Sequence, residues 1–154
     1  VEFCTFHDPD QEGIEIQVGS DENVIRNNLF RDSVTANAST YHVACDGDNC
    51  VIENNICNSN GTAAIATGGA ATTENIVSRN TIWARGANTI GILARVAADT
   101  IATFDNMIMA AAAGNLIDFT TTSTSPSGDS GSMGNTTATN PLISALVTPT
   151  VGGV

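Results

Sequence analysis

NVIRNNLF at residues 23–30, CVIENNIC at 50–57, NIVSRNTI at 75–82 and TIATFDNMIM at 100–109 are four copies of one pattern. Each contains a pair of apolar residues, a short polar run and a fixed Asn, with an apolar residue within the next two positions. The fixed residues are Asn28, Asn55, Asn80 and Asn106, spaced 27, 25 and 26 apart; the apolar followers are Phe30, Cys57, Ile82 and Ile108. A period of this length is the mark of a repeat architecture, in which each unit buries its apolar face only against its neighbours.

Upstream of each fixed Asn lies another short apolar run: GIEIQ from Gly13, YHVAC from Tyr41, AAIAT from Ala63 and IGILA from Ile90, with LIDF from Leu116 as the next member. Each repeat therefore holds three short β-like runs, separated by turns rich in Gly, Asn, Asp and Ser. Helical periodicity is weak, the Ala-rich stretch near Ala110 being the one local candidate. Leucine-rich repeats share the period, but their leucine pattern is missing. A β-sandwich would not place a fixed Asn at matched positions. The reading is an all-β, right-handed parallel β-helix solenoid of four to five coils of about 26 residues.

The stacked Asn positions and the runs NVIRNN, VIENNI and NIVSRNTI resemble those of the parallel β-helix repeat superfamily, the pectate-lyase-like group, over residues 1 to 118. The resemblance implies that the Asn side chains point inward and stack coil upon coil at one turn. The chemistry is consistent, because a buried turn leaves backbone groups in need of partners and Asn supplies both donor and acceptor. Asn28, Asn55, Asn80 and Asn106 are thus expected to form a structural ladder.

The same register reaches the first residues. VEFCTF aligns with IENNIC, so Val1 matches Ile52, Cys4 takes the ladder position and Phe6 matches Cys57. The chain is expected to begin mid-coil, with more protein before Val1 or another subunit covering that end. Residues 1–118 are read as coils, the first incomplete. Residues 119–154 are read as a polar Ser/Thr/Gly loop followed by a capping or tail segment, NPLISALVTPT.

The chain is acidic, with formal charge −11, five arginines and no lysine. That balance sets aside nucleic acids and anionic membranes, which need a basic face, and no apolar run approaches the ~18 residues that span a bilayer. Of Cys4, Cys45, Cys50 and Cys57, the pair Cys45 and Cys50 flanks the turn-like DGDN, where a disulfide is plausible. Cys57, whose repeat equivalent is Phe30, reads as a buried thiol.

Several residues carry candidate chemistry. HDPDQE, from His7 to Glu12, resembles the catalytic stretch of mannuronan C5-epimerases, which implies acid/base roles for His7 and Asp8, with Asp10 beside them. A solvated turn is the competing reading. In DGDNC, Asp46, Asp48 and Asn49 offer oxygen ligands for Ca²⁺, although Cys50 stands where a third alternate ligand would be. Arg26 and Arg79 hold outward polar positions, with Glu53 and Asp105 nearby, and read as ion pairs between coils. No Asp-Asp pair of the kind glycosidases of this fold use is present. Trp83 follows Ile82, so alternation turns it outward, where it stacks on a sugar or packs on a partner; with Arg79 it forms the carbohydrate-binding candidate. Regular Thr arrays suited to ice are absent.

Two functions follow. The first is a non-catalytic structural or binding module of an extracellular, cell-surface or virion assembly, of capsid-decorating, tailspike or filament type. It self-associates as a trimer or stack, contacts polysaccharide and requires no cofactor. The second is a fragment of a polysaccharide-active enzyme, a lyase, epimerase or glycosidase.

Overall fold

The computed structural model describes residues 1–7, 11–31, 40–68, 74–86, 89–95, 101–110, 117–119, 136–139 and 150–151. Strand β1 (Thr5–His7) is followed by β2 (Ile14–Ile16), β3 (Val24–Arg26) and β4 (Leu29–Arg31). The next three triplets are β5 (Tyr41–Cys45), β6 (Val51–Glu53) and β7 (Ile56–Ser59); β8 (Ala63–Thr67), β9 (Asn75–Ser78) and β10 (Thr81–Ala84); and β11 (Ile90–Ala94), β12 (Ile101–Phe104) and β13 (Met107–Ala110). β14 (Ile117–Phe119), β15 (Thr136–Thr139) and β16 (Thr150–Val151) complete the order.

Each member of a triplet joins a different sheet. Sheet A is β3-β6-β9-β12, sheet B is β1-β4-β7-β10-β13-β15-β16 and sheet C is β2-β5-β8-β11-β14. Every pairing is parallel except β15 with β16. Strands β1 to β14, each pairing with equivalents about one repeat away in three sheets visited in turn, make a parallel β-helix, and no described residue is helical. The helix has about three turns rather than four to five. Four strands in sheet A mark three steps along the axis, so counting repeats overstates complete turns by one.

Alternation along each short strand sorts side chains inward and outward. The inward rows are Ile25, Ile52 and Val77 in sheet A, and Phe30, Cys57, Ile82 and Ile108 in sheet B, all at most 1% exposed. Val43, Ile65 and Ile92 form the row in sheet C. Burial of each large aliphatic side chain contributes about 1.5–3 kcal/mol. Phe6 extends the sheet B row and stacks on Phe30 at 4.8 Å, the spacing of adjacent strands. In sheet C the pairing steps over His42, Ala64 and Gly91. His42 is buried there, tilted against Phe30 at 5.4 Å, with Nε2 3.0 Å from the Asn58 carbonyl.

The turn from sheet A to sheet B has one construction at every level. A residue with positive φ (Phe3, Asn27, Asn54, Arg79 or Asp105) is followed by Cys4 or by a ladder Asn. The left-handed residue reverses the chain, which costs a non-Gly residue roughly 1–2 kcal/mol. The Asn that follows meets the hydrogen-bonding needs of the buried corner. Asn80 Nδ2 donates to the Ile52 carbonyl at 3.0 Å and Asn55 Nδ2 to the Ile25 carbonyl at 3.0 Å. Val1 occupies the equivalent position, accepting from Asn28 Nδ2 at 3.2 Å, and Cys4 N donates to Asn28 Oδ1 at 3.0 Å. The alignment of VEFCTF with the later coils is therefore realised in space.

Candidate functional site

The turn from sheet C to sheet A repeats the same device, which the sequence reading missed. Glu22, Asn49 and Glu74 have φ of 59°, 55° and 59°, and Asn23, Cys50 and Asn75 follow them. Asn75 Oδ1 accepts from the backbone N–H of Cys50 at 2.8 Å, as the main ladder does at the other corner. The signal was available: Asn23, Cys50 and Asn75 open three of the four repeats.

This geometry assigns the calcium candidates. Asn49 is exposed and supplies the left-handed residue of its turn. Asp48 packs against the coil below, its N–H donating to Asp21 Oδ1 at 2.9 Å and its carbonyl accepting from the Glu22 N–H at 2.9 Å. The Asp46 carboxylate is paired with Arg95, 49 residues later. Arg95 Nε also donates to the Thr67 carbonyl at 3.2 Å, and its guanidinium lies 5.1 Å from the Tyr41 ring. Arg95 thus clamps three successive coils of sheet C. Among the described residues no group of three His, Cys, Asp or Glu side chains could hold a metal ion.

Cys45 and Cys50, the pair for which a bridge is one reading, lie in the core at either end of this turn as free thiols. Each sulfur contacts a carbonyl of the turn, Cys45 Sγ that of Gly47 at 3.7 Å and Cys50 Sγ that of Asp48 at 3.4 Å. Burial, reinforced by the neighbouring Cys50, pushes the Cys45 thiol up to about 12. Cys57 is also free and buried, as its place opposite Phe30 suggested, and burial raises its pKa strongly. Such thiols are poor nucleophiles and behave as core packing.

The epimerase-like stretch is described only in part. His7 is exposed at the end of β1, on the outer side of sheet B, whereas Asp8 and Asp10 lie outside the described residues. Arg79 is exposed at a left-handed corner and pairs with Glu53 of the coil below, as Arg26 pairs with Glu2 at 2.7 Å. These are ladder ion pairs between coils.

Trp83 does point outward, at 39% exposure, and Arg85 lies over its ring at 5.8 Å. Arg79 and Trp83 each have their own partner. Trp83 belongs instead to a wider surface, the outer side of sheet B. One outward row runs Thr5, Leu29, Ile56, Thr81, Met107, and the other His7, Arg31, Asn58, Trp83, Met109. Ile56 and Met107 are 53% and 44% exposed. Sheet C differs: its outer residues Ala44, Ala66 and Leu93 are buried, the last two packed with Ala63, Tyr41 and Ile90. The open outer side of sheet B is the candidate site.

No family model, curated protein or solved structure matches this chain. No helix among the described residues is long and apolar enough to cross a membrane.

Proposed function

We propose that this chain is a non-catalytic structural and binding module of the pectate-lyase-like superfamily, part of an extracellular, cell-surface or virion assembly of capsid-decorating, tailspike or filament type. The observation that carries the reading is the outer side of sheet B. It is a stiff parallel sheet presenting Leu29, Ile56 and Met107 in one row and Trp83 in the next, while Ala44, Ala66 and Leu93 on the outer side of sheet C are buried. Contiguous exposed apolar surface on a rigid element marks an interaction site. Trp83, with Arg85 over its ring, has the aromatic face on which a sugar stacks, so the same surface also suits polysaccharide contact. The module works without a cofactor, and the Asp46 carboxylate is taken up by Arg95.

Light scattering on the purified chain tests the reading. A trimer or larger assembly that persists on dilution is expected, and a monodisperse monomer overturns it. Incubation with pectate and with alginate, with and without Ca²⁺, is expected to leave both polymers unchanged. Unsaturated or epimerised products would replace this reading with that of a polysaccharide lyase or epimerase fragment.

A further inference from the structure

We propose that the outer side of sheet B docks the acidic turn between sheets C and A of a second copy of this chain, so that copies associate head to tail. The proposal rests on the self-association argued above and names its two surfaces.

The charge distribution selects them. The chain carries 16 carboxylates against five arginines. Copies of such a chain repel wherever acidic surface meets acidic surface. Yet β1, β4, β7, β10 and β13 contain no Asp or Glu at any position. Their outer side carries Arg31, exposed at the end of β4, and Arg85 just beyond β10, beside exposed Ile56, Trp83 and Met107. With strands about 4.8 Å apart, these five present a carboxylate-free platform about 19 Å long.

The complementary surface lies on the same chain. At the C-to-A turn, Asp21, Glu22 and Glu74 are exposed and Asp48 half-buried, all on successive coils. Glu22 and Glu74 are held at left-handed corners, which fixes the backbone beneath them. The result is an acidic ridge parallel to the solenoid axis, like the cationic and apolar platform. A ridge on one part of the molecule meeting a platform on another is a heterologous contact. It closes into a ring, such as a trimer, or propagates as a lateral stack, depending on the rotation between copies. Buried Ile56, Trp83 and Met107 would supply the affinity, and the charges the orientation.

Charge swapping on the full chain tests this, with circular dichroism confirming that each variant is folded. Arg31→Glu and Glu22→Lys alone are each expected to weaken assembly at least tenfold, read by light scattering across a dilution series. The double variant Arg31→Glu/Glu22→Lys is expected to restore it, because every copy then offers the next an opposite charge at the contact, whatever the number of copies in the ring. Ile56→Asp is expected to abolish assembly, and added salt to weaken the wild type. A monomeric wild type overturns the proposed function together with this inference. A wild-type assembly indifferent to Arg31→Glu and Ile56→Asp overturns the inference alone. Loss with Ile56→Asp but no rescue in the double variant overturns the acidic ridge as the partner. Unchanged assembly combined with loss of retention on immobilised pectate in Arg31→Glu overturns the second copy in favour of an acidic polysaccharide.

Discussion

Asn55 is tied to Asn80 through a single acceptor: its backbone N–H, at 2.9 Å, and its side-chain Nδ2, at 3.0 Å, both donate to Oδ1 of Asn80. Asn80 repeats the arrangement toward Asn106, both bonds at 3.0 Å, and Asn28 makes it toward Asn55 at 3.0 and 3.1 Å. The ladder is thus a continuous chain of amides along the axis, in a corner with no more than 2% exposure at any of the four.

Removing an inner rung leaves buried partners above and below without their bonds. Asn80→Ala deprives Asn55 of its shared acceptor and the Ile52 carbonyl of a donor. A loss of about 3–4 kcal/mol is expected, read as a fall in the urea midpoint at unchanged slope. Arg79→Ala, one residue away but exposed and paired only with Glu53, is expected to cost no more than about 0.5 kcal/mol.

The left-handed corners make an opposite prediction. Glu22 has φ of 59° and an exposed side chain. Glu22→Gly or Glu22→Asn relieves the steric cost of that conformation and is expected to raise stability by about 0.5–1 kcal/mol, seen as a higher Tm. Asn27→Val at the corresponding corner of the other turn is expected to lower it by a similar amount.

Gly47 is required for closeness rather than for backbone freedom. A β-carbon there would stand 2.1 Å from the Ser20 carbonyl oxygen of the preceding coil. Gly47→Ala must push the two coils apart at the turn that holds Asp46. It is expected to destabilise by more than about 2 kcal/mol and to increase hydrogen exchange at the Asp46 amide, which donates to the Ile16 carbonyl at 2.8 Å.

Buried thiols set the alkaline limit. The ordinary value is 9.0; burial raises Cys57 strongly and Cys45 to about 12. Above pH 9 the unfolded chain releases these protons while the folded chain keeps them, so unfolding is favoured as pH rises. The contribution is whole below pH 9 and lost progressively toward pH 12. Tm is expected to be insensitive to these groups from pH 6 to 8 and to fall from pH 9 to 11, less steeply in Cys57→Ala. In the native chain, thiol reagents at pH 8 are expected to modify exposed Cys4 and to spare Cys45, Cys50 and Cys57.

The sequence by itself determined the repeat, the stacking of Asn28, Asn55, Asn80 and Asn106, the inward row from Phe6 to Ile108, the ion pair of Arg79 with Glu53 and the outward turn of Trp83. These were legible because a solenoid places each residue directly above its equivalent one period away, so a local pattern repeated at fixed spacing is already a statement about contacts. Tertiary structure alone decided the rest. Asp46 reads as a candidate calcium ligand within DGDNC, but only the fold shows that its carboxylate pairs with Arg95, which the sheet C register Cys45–Thr67–Ala94 sets two coils above it. Cys45 and Cys50 are near in sequence, but only the fold shows both thiols buried, each against a carbonyl of the turn. Alternation says which side chains point outward from sheets B and C, but not that Ala44, Ala66 and Leu93 are covered while Ile56 and Met107 are open. Those outcomes depend on turns whose lengths and directions vary from coil to coil, and burial is a property of what the whole chain lays over a surface.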